Sequence, residues 1–200
     1  MAETIIINGS PRAPRSNSKR YAEILKSKLI TSTEYVNISK NNHNEIIEKI
    51  NYVKDVILVF PLYVDALPST LLSFLKTLEN ANLTNKPVVS VLINCGFLEY
   101  KQNDIAINMV KIFCKQNGYP FGAVLSIGGG EAILDTPFKS LVNIKIGAFA
   151  KSINNRQYKN LHLTMPLTKK MYIKGSTGYW SRYGAKNGLT KEEMEIMTIE

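Results

Sequence analysis

Cysteine and histidine are scarce in this chain, with two residues of each among 200. Cys95 and Cys114 form no CxxC pair, and His43 and His162 stand in no metal-ligand spacing. These absences exclude an iron–sulfur cluster held by this chain's thiolates and a cysteine-rich zinc site. We therefore expect no metal centre, and we expect both thiols to be buried and unpaired.

Long apolar segments are also missing. No stretch reaches the roughly 18 uncharged apolar residues that a membrane-spanning helix requires. The N-terminal segment MAETIIINGSPR has neither the basic residues nor the apolar centre of a signal peptide. We expect a cytoplasmic protein that has no membrane partner.

Acidic residues are outnumbered by basic ones, 16 against 25, and the formal net charge is +9. Such a balance favours anionic partners. However, no run of five or more Lys or Arg occurs, and no helix-turn-helix, zinc-finger or RNA-binding aromatic motif is present. We expect an anionic small molecule rather than nucleic acid as the ligand.

What the sequence does contain is an alternation of strand-like and helix-like segments. Apolar, β-branched runs predict five strands at Thr4–Asn8, Thr33–Ile38, Val56–Phe60, Pro87–Ile93 and Phe121–Ile127. Helical spacing of apolar residues predicts helices at 17–29, 45–53, 68–78, 104–116 and 138–153. This alternation predicts an α/β fold with a doubly wound parallel sheet and helices on both faces. Ligands of such sheets bind beyond the carboxyl ends of the strands, at the topological switch point.

The first predicted strand runs into a loop of hydroxyl, amide and basic side chains, NGSPRAPRSNS at residues 8–18. Gly9 permits a sharp turn, and Ser16 or Asn17 can cap the following helix. The loop has neither the GxGxxG pattern of dinucleotide sites nor the GK[ST] of a P-loop. Hydroxyls and positive charge at a helix N-terminus predict a site for an anion such as a phosphate.

Three further loops follow later strands. An aromatic residue, Tyr63, on the proline-stiffened loop 61–68 suits a flat heteroaromatic ring, although it could instead pack at the strand end. Gly96 permits close backbone approach in the next loop, whereas Cys95 has no basic neighbour and is interpreted as a small residue beside the site. Residues Gly128–Gly130 indicate either close approach of a flat group or a plain flexible loop.

Three motifs of this sequence, in this order along the chain, resemble those of a known family. They are GSPR with SNS after the first strand, P-x-Y-x-x-x-x-P at 61–68, and GFLE at 96–99 followed by Gln102. Over residues 3–150 the chain is similar to the flavodoxin-like NADPH-dependent FMN reductases, which are NAD(P)H-dependent oxidoreductases. The resemblance implies a five-stranded sheet in the order 2-1-3-4-5 and non-covalently bound FMN. It implies that the phosphate is held by Ser10, Arg12, Ser16, Asn17 and Ser18. It also implies that the flavin is lined by Pro61, Leu62, Tyr63, Val64, Asn94, Cys95, Gly96 and Phe97.

The activity implied by the resemblance is ping-pong hydride transfer from NADPH or NADH, through FMN, to a flavin, quinone or related small-molecule acceptor. No side chain is expected to be catalytic, because the flavin carries the chemistry. One alternative is a flavodoxin-type electron carrier without its own NAD(P)H oxidation, but such carriers are usually acidic and this chain is basic. An iron–sulfur flavoprotein would need a compact cysteine motif that the sequence lacks, and a descendant without FMN would not need these loops.

Residues 161–200 are predicted to be a C-terminal extension, rich in aromatic and basic residues, that follows an FMN-binding domain of residues 1–160. We expect the extension to pack either on that domain or on a partner subunit. The family resemblance implies a homodimer.

Overall fold

A computed structural model describes residues 2–196, and six strands in this range form one parallel sheet. The strands are β1 (Thr4–Asn8), β2 (Thr33–Asn37), β3 (Asp55–Pro61), β4 (Val88–Asn94), β5 (Phe121–Ile127) and β6 (Asn160–Leu163). Their order is β2-β1-β3-β4-β5-β6. The chain moves outward from β1 to β2 on one side and to β3 on the other, so the switch point lies between β1 and β3.

Helices cover both faces of this sheet. Five helices follow the first five strands in turn: α1 (Asn17–Lys26), α2 (His43–Ile50), α3 (Ser69–Glu79), α4 (Asp104–Asn117) and α5 (Lys139–Asn154). Buried residues of α2, α3 and α4 share one apolar cluster with Ile5 and Ile7 of β1, whereas α1 and α5 pack against each other. Ile6 points to the opposite face from its neighbours and is also fully buried. The predicted α/β class, with a parallel sheet between two helical layers, is confirmed.

The predicted number of five strands is wrong. β6 pairs in parallel with β5, from Asn160 opposite Val124 to Leu163 opposite Ile127. It has only four residues and lies at the edge of the sheet, so it needs no continuous apolar run. The alternation of polar and apolar residues in Asn-Leu-His-Leu was the available signal for a half-buried strand.

Contacts between residues divide the chain into two compact units, one ending at Met165 and the other beginning at Pro166. The second unit contains α6 (Lys169–Lys186) and α7 (Lys191–Glu195), and residues 197–200 of the predicted extension lie outside the described range. The Thr168 side chain caps α6 by accepting the Met171 N–H, and a capping box begins α7. Within residues 2–196, no helix combines the length and the apolar content needed to cross a bilayer.

Candidate cofactor site

The carboxyl edge of the sheet brings the loops after β1, β3 and β4 together. The Leu62 N–H donates to the Asn94 carbonyl oxygen at 2.7 Å, which joins the loop after β3 to the end of β4. The Gly9 N–H donates to the Val59 carbonyl oxygen at 2.9 Å, which joins the loop after β1 to β3. The residues predicted to bind a phosphate and a flat ring therefore lie at one edge, beside the switch point.

Asn8, the buried last residue of β1, braces the loop between β1 and α1. Its Oδ1 accepts the Ser10 N–H at 2.9 Å, and its Nδ2 donates to Ser16 Oγ at 3.3 Å. The same Nδ2 lies 3.1 Å from Asn37 Oδ1 at the end of β2. One amide thus connects both ends of the loop to the neighbouring strand, a role that the sequence did not reveal.

The first turn of α1 presents unsatisfied donors to this edge. Ser16 is the N-cap residue, and its Oγ accepts the Lys19 N–H at 3.2 Å. Within the described chain, no protein acceptor pairs with the backbone N–H groups of Asn17 and Ser18. The Arg12 side chain lies nearby and is 70% exposed. Free N–H groups, the positive end of a helix and an exposed guanidinium together form an arrangement that binds anions.

Two of the predicted phosphate ligands turn their side chains inward. The Asn17 Nδ2 donates to the Glu131 carbonyl oxygen at 2.8 Å, and its Oδ1 accepts from Arg20 at 3.0 Å. Ser18 is buried, and its Oγ donates to Asn94 Oδ1 at 3.5 Å. In this arrangement the two side chains brace α1 against neighbouring loops, while their backbone N–H groups have no acceptor within the described chain.

The loop after β3 contains a tight turn in an unusual conformation. Tyr63 and Ala66 exchange two backbone hydrogen bonds, each 3.1 Å long, around Val64 and Asp65. Val64 and Asp65 have φ angles of 49° and 55°, as in a type I′ turn. A β-branched residue such as valine is disfavoured in this left-handed region. The turn leaves Tyr63 48% and Val64 89% exposed at the site.

The loop after β4 adds a second exposed aromatic side chain and a buried thiol. Phe97 is 50% exposed, whereas Asn94 and Cys95 are buried. Pro61 at the end of β3 and Leu62 after it are intermediate. The Cys95 Sγ donates to the carbonyl oxygens of Phe97 and Glu99, at 3.6 and 3.7 Å. Burial raises the pKa of Cys95 to about 11, so the group is a thiol at neutral pH and not a nucleophile.

The glycine loop after β5 packs directly on the loop after β4. A Cβ on Gly128 would overlap the Leu98 carbonyl oxygen, and one on Gly130 would lie 2.6 Å from Asn94 Cβ. The Gly130 N–H donates to the Cys95 carbonyl oxygen at 2.8 Å. The close approach that this glycine run permits is therefore to the protein itself, to backbone atoms at Gly128 and to the Asn94 side chain at Gly130.

Sequence reasoning missed two residues, Tyr21 and Glu131, that connect the segment around this glycine loop with α1 and with the loop before it. The buried Tyr21 hydroxyl of α1 donates to the Gly130 carbonyl oxygen at 2.6 Å, and burial raises the pKa of this phenol. The Glu131 Oε1 lies 3.6 Å from an Arg12 guanidinium nitrogen. Neither contact has a local sequence signal, because the partners are more than a hundred residues apart along the chain.

No protein-family model matches the chain, and no curated protein matches it by sequence. Solved structures match it by fold. An FMN-dependent NADH-azoreductase from Bacillus anthracis str. Ames Ancestor, solved in complex with FMN, is 16% identical, with a TM-score of 0.59 over 76% of this chain and 99% of that one. An NADPH-quinone reductase from P. pentosaceus is 13% identical, with a TM-score of 0.58 over 74% and 97%.

A flavodoxin from Streptococcus pneumonia TIGR4 is similar to a comparable degree. It is 14% identical, with a TM-score of 0.56 over 76% of this chain and 99% of the flavodoxin. At such identities the shared property is the fold. The α/β sheet of this chain, extended at one edge by β6, therefore has the flavodoxin-like fold of these quinone reductases, azoreductases and flavodoxins.

Proposed function

We propose that this chain is an FMN-dependent NAD(P)H oxidoreductase that reduces a small-molecule acceptor such as a flavin, a quinone or a related compound. The observation that carries the proposal is the pairing of two features at the carboxyl edge of the sheet. One is the anion-binding end of α1, and the other is a pair of loops with half-exposed aromatic residues. FMN combines a phosphate with a flat, largely apolar ring, and thus requires both features.

The residues of the loop between β1 and α1 fit a phosphate. Ser10 Oγ accepts the Arg12 N–H at 3.3 Å, and Ser16 Oγ accepts the Lys19 N–H. Because each oxygen acts as an acceptor within the protein, each hydroxyl proton remains available to a phosphate oxygen. The free N–H groups of the first turn of α1 and the Arg12 guanidinium would supply the remaining donors.

The loops after β3 and β4 fit the ring. Tyr63, Val64 and Phe97 expose apolar surface that a bound isoalloxazine would cover, and such covering is favourable for both partners. When bound, FMN would supply the two-electron chemistry between the nicotinamide nucleotide and the acceptor. The task of the chain is to hold and orient the ring and to exclude water from one side of it. The buried thiol of Cys95 supports the loop and takes no proton or electron in this scheme.

The net charge supports an anionic electron donor. At +9, the chain attracts NADPH and NADH, both of which carry phosphate charges. The proposal applies equally to NADPH and NADH as the electron donor. A direct comparison of the rates at which they reduce the bound FMN decides between them.

A flavodoxin-type electron carrier is the second candidate, and the similarity to a whole flavodoxin chain favours it. A carrier would bind FMN at the same edge but would not be reduced by a nicotinamide nucleotide. Reduction by NAD(P)H therefore separates the two functions more sharply than FMN binding does.

The test is to purify the full chain, load it with FMN and record its visible spectrum without oxygen while NADPH or NADH is added. Bleaching by either nucleotide, followed by recovery with a quinone or free flavin, is the result expected for the oxidoreductase. Bleaching only by dithionite would favour the carrier. Failure to bind added FMN would contradict both functions.

Homodimer formation is a further part of the proposal, and it follows from the family resemblance. Sedimentation of the FMN-loaded full chain should give the mass of two copies of the 22.4 kDa chain. A single-copy mass at micromolar concentration would contradict this part without affecting the proposed chemistry.

A further inference from the structure

Glu131 places a carboxylate inside the proposed cofactor site. Its Oε1 lies 3.6 Å from an Arg12 guanidinium nitrogen, in the loop between β1 and α1. Its Oε2 lies 3.5 Å from the position that a Cβ on Gly96 would take, in the loop after β4. The carboxylate is thus located between the loop that fits a phosphate and a loop that fits the ring.

The backbone of Glu131 is held on both sides. Its carbonyl oxygen accepts from Asn17 Nδ2 at 2.8 Å, and the preceding Gly130 is bonded through its N–H to Cys95 and through its carbonyl oxygen to Tyr21. These hydrogen bonds hold the backbone of Glu131 beside the loop between β1 and α1. Rotation of either side chain is then enough to separate the carboxylate from Arg12.

The pair that Glu131 forms with Arg12 is long and accessible to solvent, with side-chain exposures of 30% for Glu131 and 70% for Arg12. Ion pairs of this kind contribute little to stability and can be exchanged for a better partner. A phosphate monoester carries about −1.5 to −2 charges near neutral pH, so its approach to Arg12 would also bring it close to the carboxylate.

We propose that Glu131 is an internal anion that competes with the phosphate of FMN for Arg12, and that it thereby limits how tightly this site holds a phosphorylated flavin. The proposal rests on the proposed function, because it concerns the same cofactor. The negative charge of Glu131 would lower the affinity for FMN but not for riboflavin, since riboflavin has no phosphate to repel. The affinity for riboflavin should therefore be independent of the charge at residue 131.

The test is a flavin-fluorescence titration of the flavin-free full chain and of Glu131→Gln with FMN and, separately, with riboflavin at low salt. We expect Glu131→Gln to lower the Kd for FMN by about three- to fivefold and to leave that for riboflavin within about twofold. The gain should shrink at high salt, where charge interactions are screened. Glu23→Gln is the matched control, because it removes the same charge from α1, where Glu23 pairs with Lys19.

An unchanged ratio of the two Kd values in Glu131→Gln, while the unaltered chain still binds FMN, would overturn this proposal alone. Weaker binding of both flavins by Glu131→Gln would also overturn it, since it would indicate that the carboxylate accepts hydrogen bonds from the ligand. If neither protein binds FMN, the proposed function fails together with this inference.

Discussion

Two ion pairs at opposite edges of the sheet differ in burial and in length. At the amino edge, the Asp55 side chain is 3% exposed and pairs with Arg156 at 2.7 Å. At the carboxyl edge, Arg12 and Glu131 lie 3.6 Å apart and both reach solvent. Removing one partner of a pair to a buried carboxylate is costly, because the remaining charge is left without compensation, whereas a long, solvent-accessible pair can be replaced by a ligand. The contrast separates a pair that the fold needs for charge compensation from a pair that a ligand can enter.

Arg156 adopts a strained conformation to make its contact. It follows the C-cap of α5 with a φ of 56°, in the left-handed region where glycine usually ends a helix. Its guanidinium also donates to the Tyr158 hydroxyl at 2.9 Å. Burial raises the pKa of Asp55, and the charge of Arg156 opposes that rise. The amino edge therefore depends on Arg156 to keep a buried charge compensated.

Arg156→Met tests the pair at the amino edge and should have the largest effect. Because it leaves the Asp55 carboxylate buried without a partner, we expect a loss of about 3–5 kcal/mol in the free energy of unfolding at pH 7, measured in urea. The loss should shrink as the pH falls through the raised pKa of Asp55, since the protonated acid needs no partner.

The matched control is Arg20→Met, which removes the exposed pair between Arg20 and Asp135 together with the hydrogen bond from Arg20 to Asn17 Oδ1. Its expected loss is about 0.2–1 kcal/mol. Equal losses in the two variants would contradict the distinction between a buried pair and an exposed one.

Gly128→Ala tests how tightly the carboxyl edge is packed beneath its ligand-facing surface. The added Cβ would meet the Leu98 carbonyl oxygen and lie 2.7 Å from the Tyr100 nitrogen, both of which are backbone atoms. We expect a loss of about 2–3 kcal/mol in thermal or urea unfolding. Gly96→Ala is the control at the same edge, because the nearest atom to its Cβ is a flexible carboxylate oxygen at 3.5 Å. Its loss should stay within about 0.5 kcal/mol.

Arg12→Gln tests whether the loosely paired charge at the carboxyl edge serves a ligand. We expect about a tenfold weaker affinity for FMN, which corresponds to about 1.4 kcal/mol, with little change for riboflavin. Lys26→Gln removes the same charge at the C-terminal end of α1, about 14 Å along the helix from its first residue. It should leave both affinities unchanged. An equal loss for both flavins in Arg12→Gln would place the arginine near the ring rather than near the phosphate.

Val64→Asn gives the smallest expected effect and tests the strain in the loop after β3. Asparagine tolerates the left-handed conformation better than valine does, and the exposed Val64 side chain contributes little packing. We expect a gain of about 1 kcal/mol in the free energy of unfolding. Val64→Ala removes the β-branch without this tolerance and should gain less. If the two variants were equally stable, left-handed strain would not be the cause.

Prediction from the sequence succeeded for elements with a strong pattern of apolar residues and failed for those without one. Strands such as β5 are largely apolar, and its predicted bounds agree with the structure to the residue. In contrast, α6 contains Gly175, Gly178 and Gly184, each of which lowers helix propensity by about 1 kcal/mol relative to alanine. Gly184 lies against Met194 of α7, a contact within the second unit that no local pattern announces.

The sequence by itself determined the alternation of strands and helices, the position of the hydroxyl-rich and basic loop after β1, and the aromatic residues in the loops after β3 and β4. It could do so because hydrophobic periodicity and turn chemistry are local properties of a chain. Only the tertiary structure decided that Ser18 faces inward, that β6 joins the sheet and that Glu131 lies beside Arg12. These outcomes depend on contacts between distant residues, such as Asn17 with Glu131 across 114 positions, and a local pattern does not tell which distant residues pair.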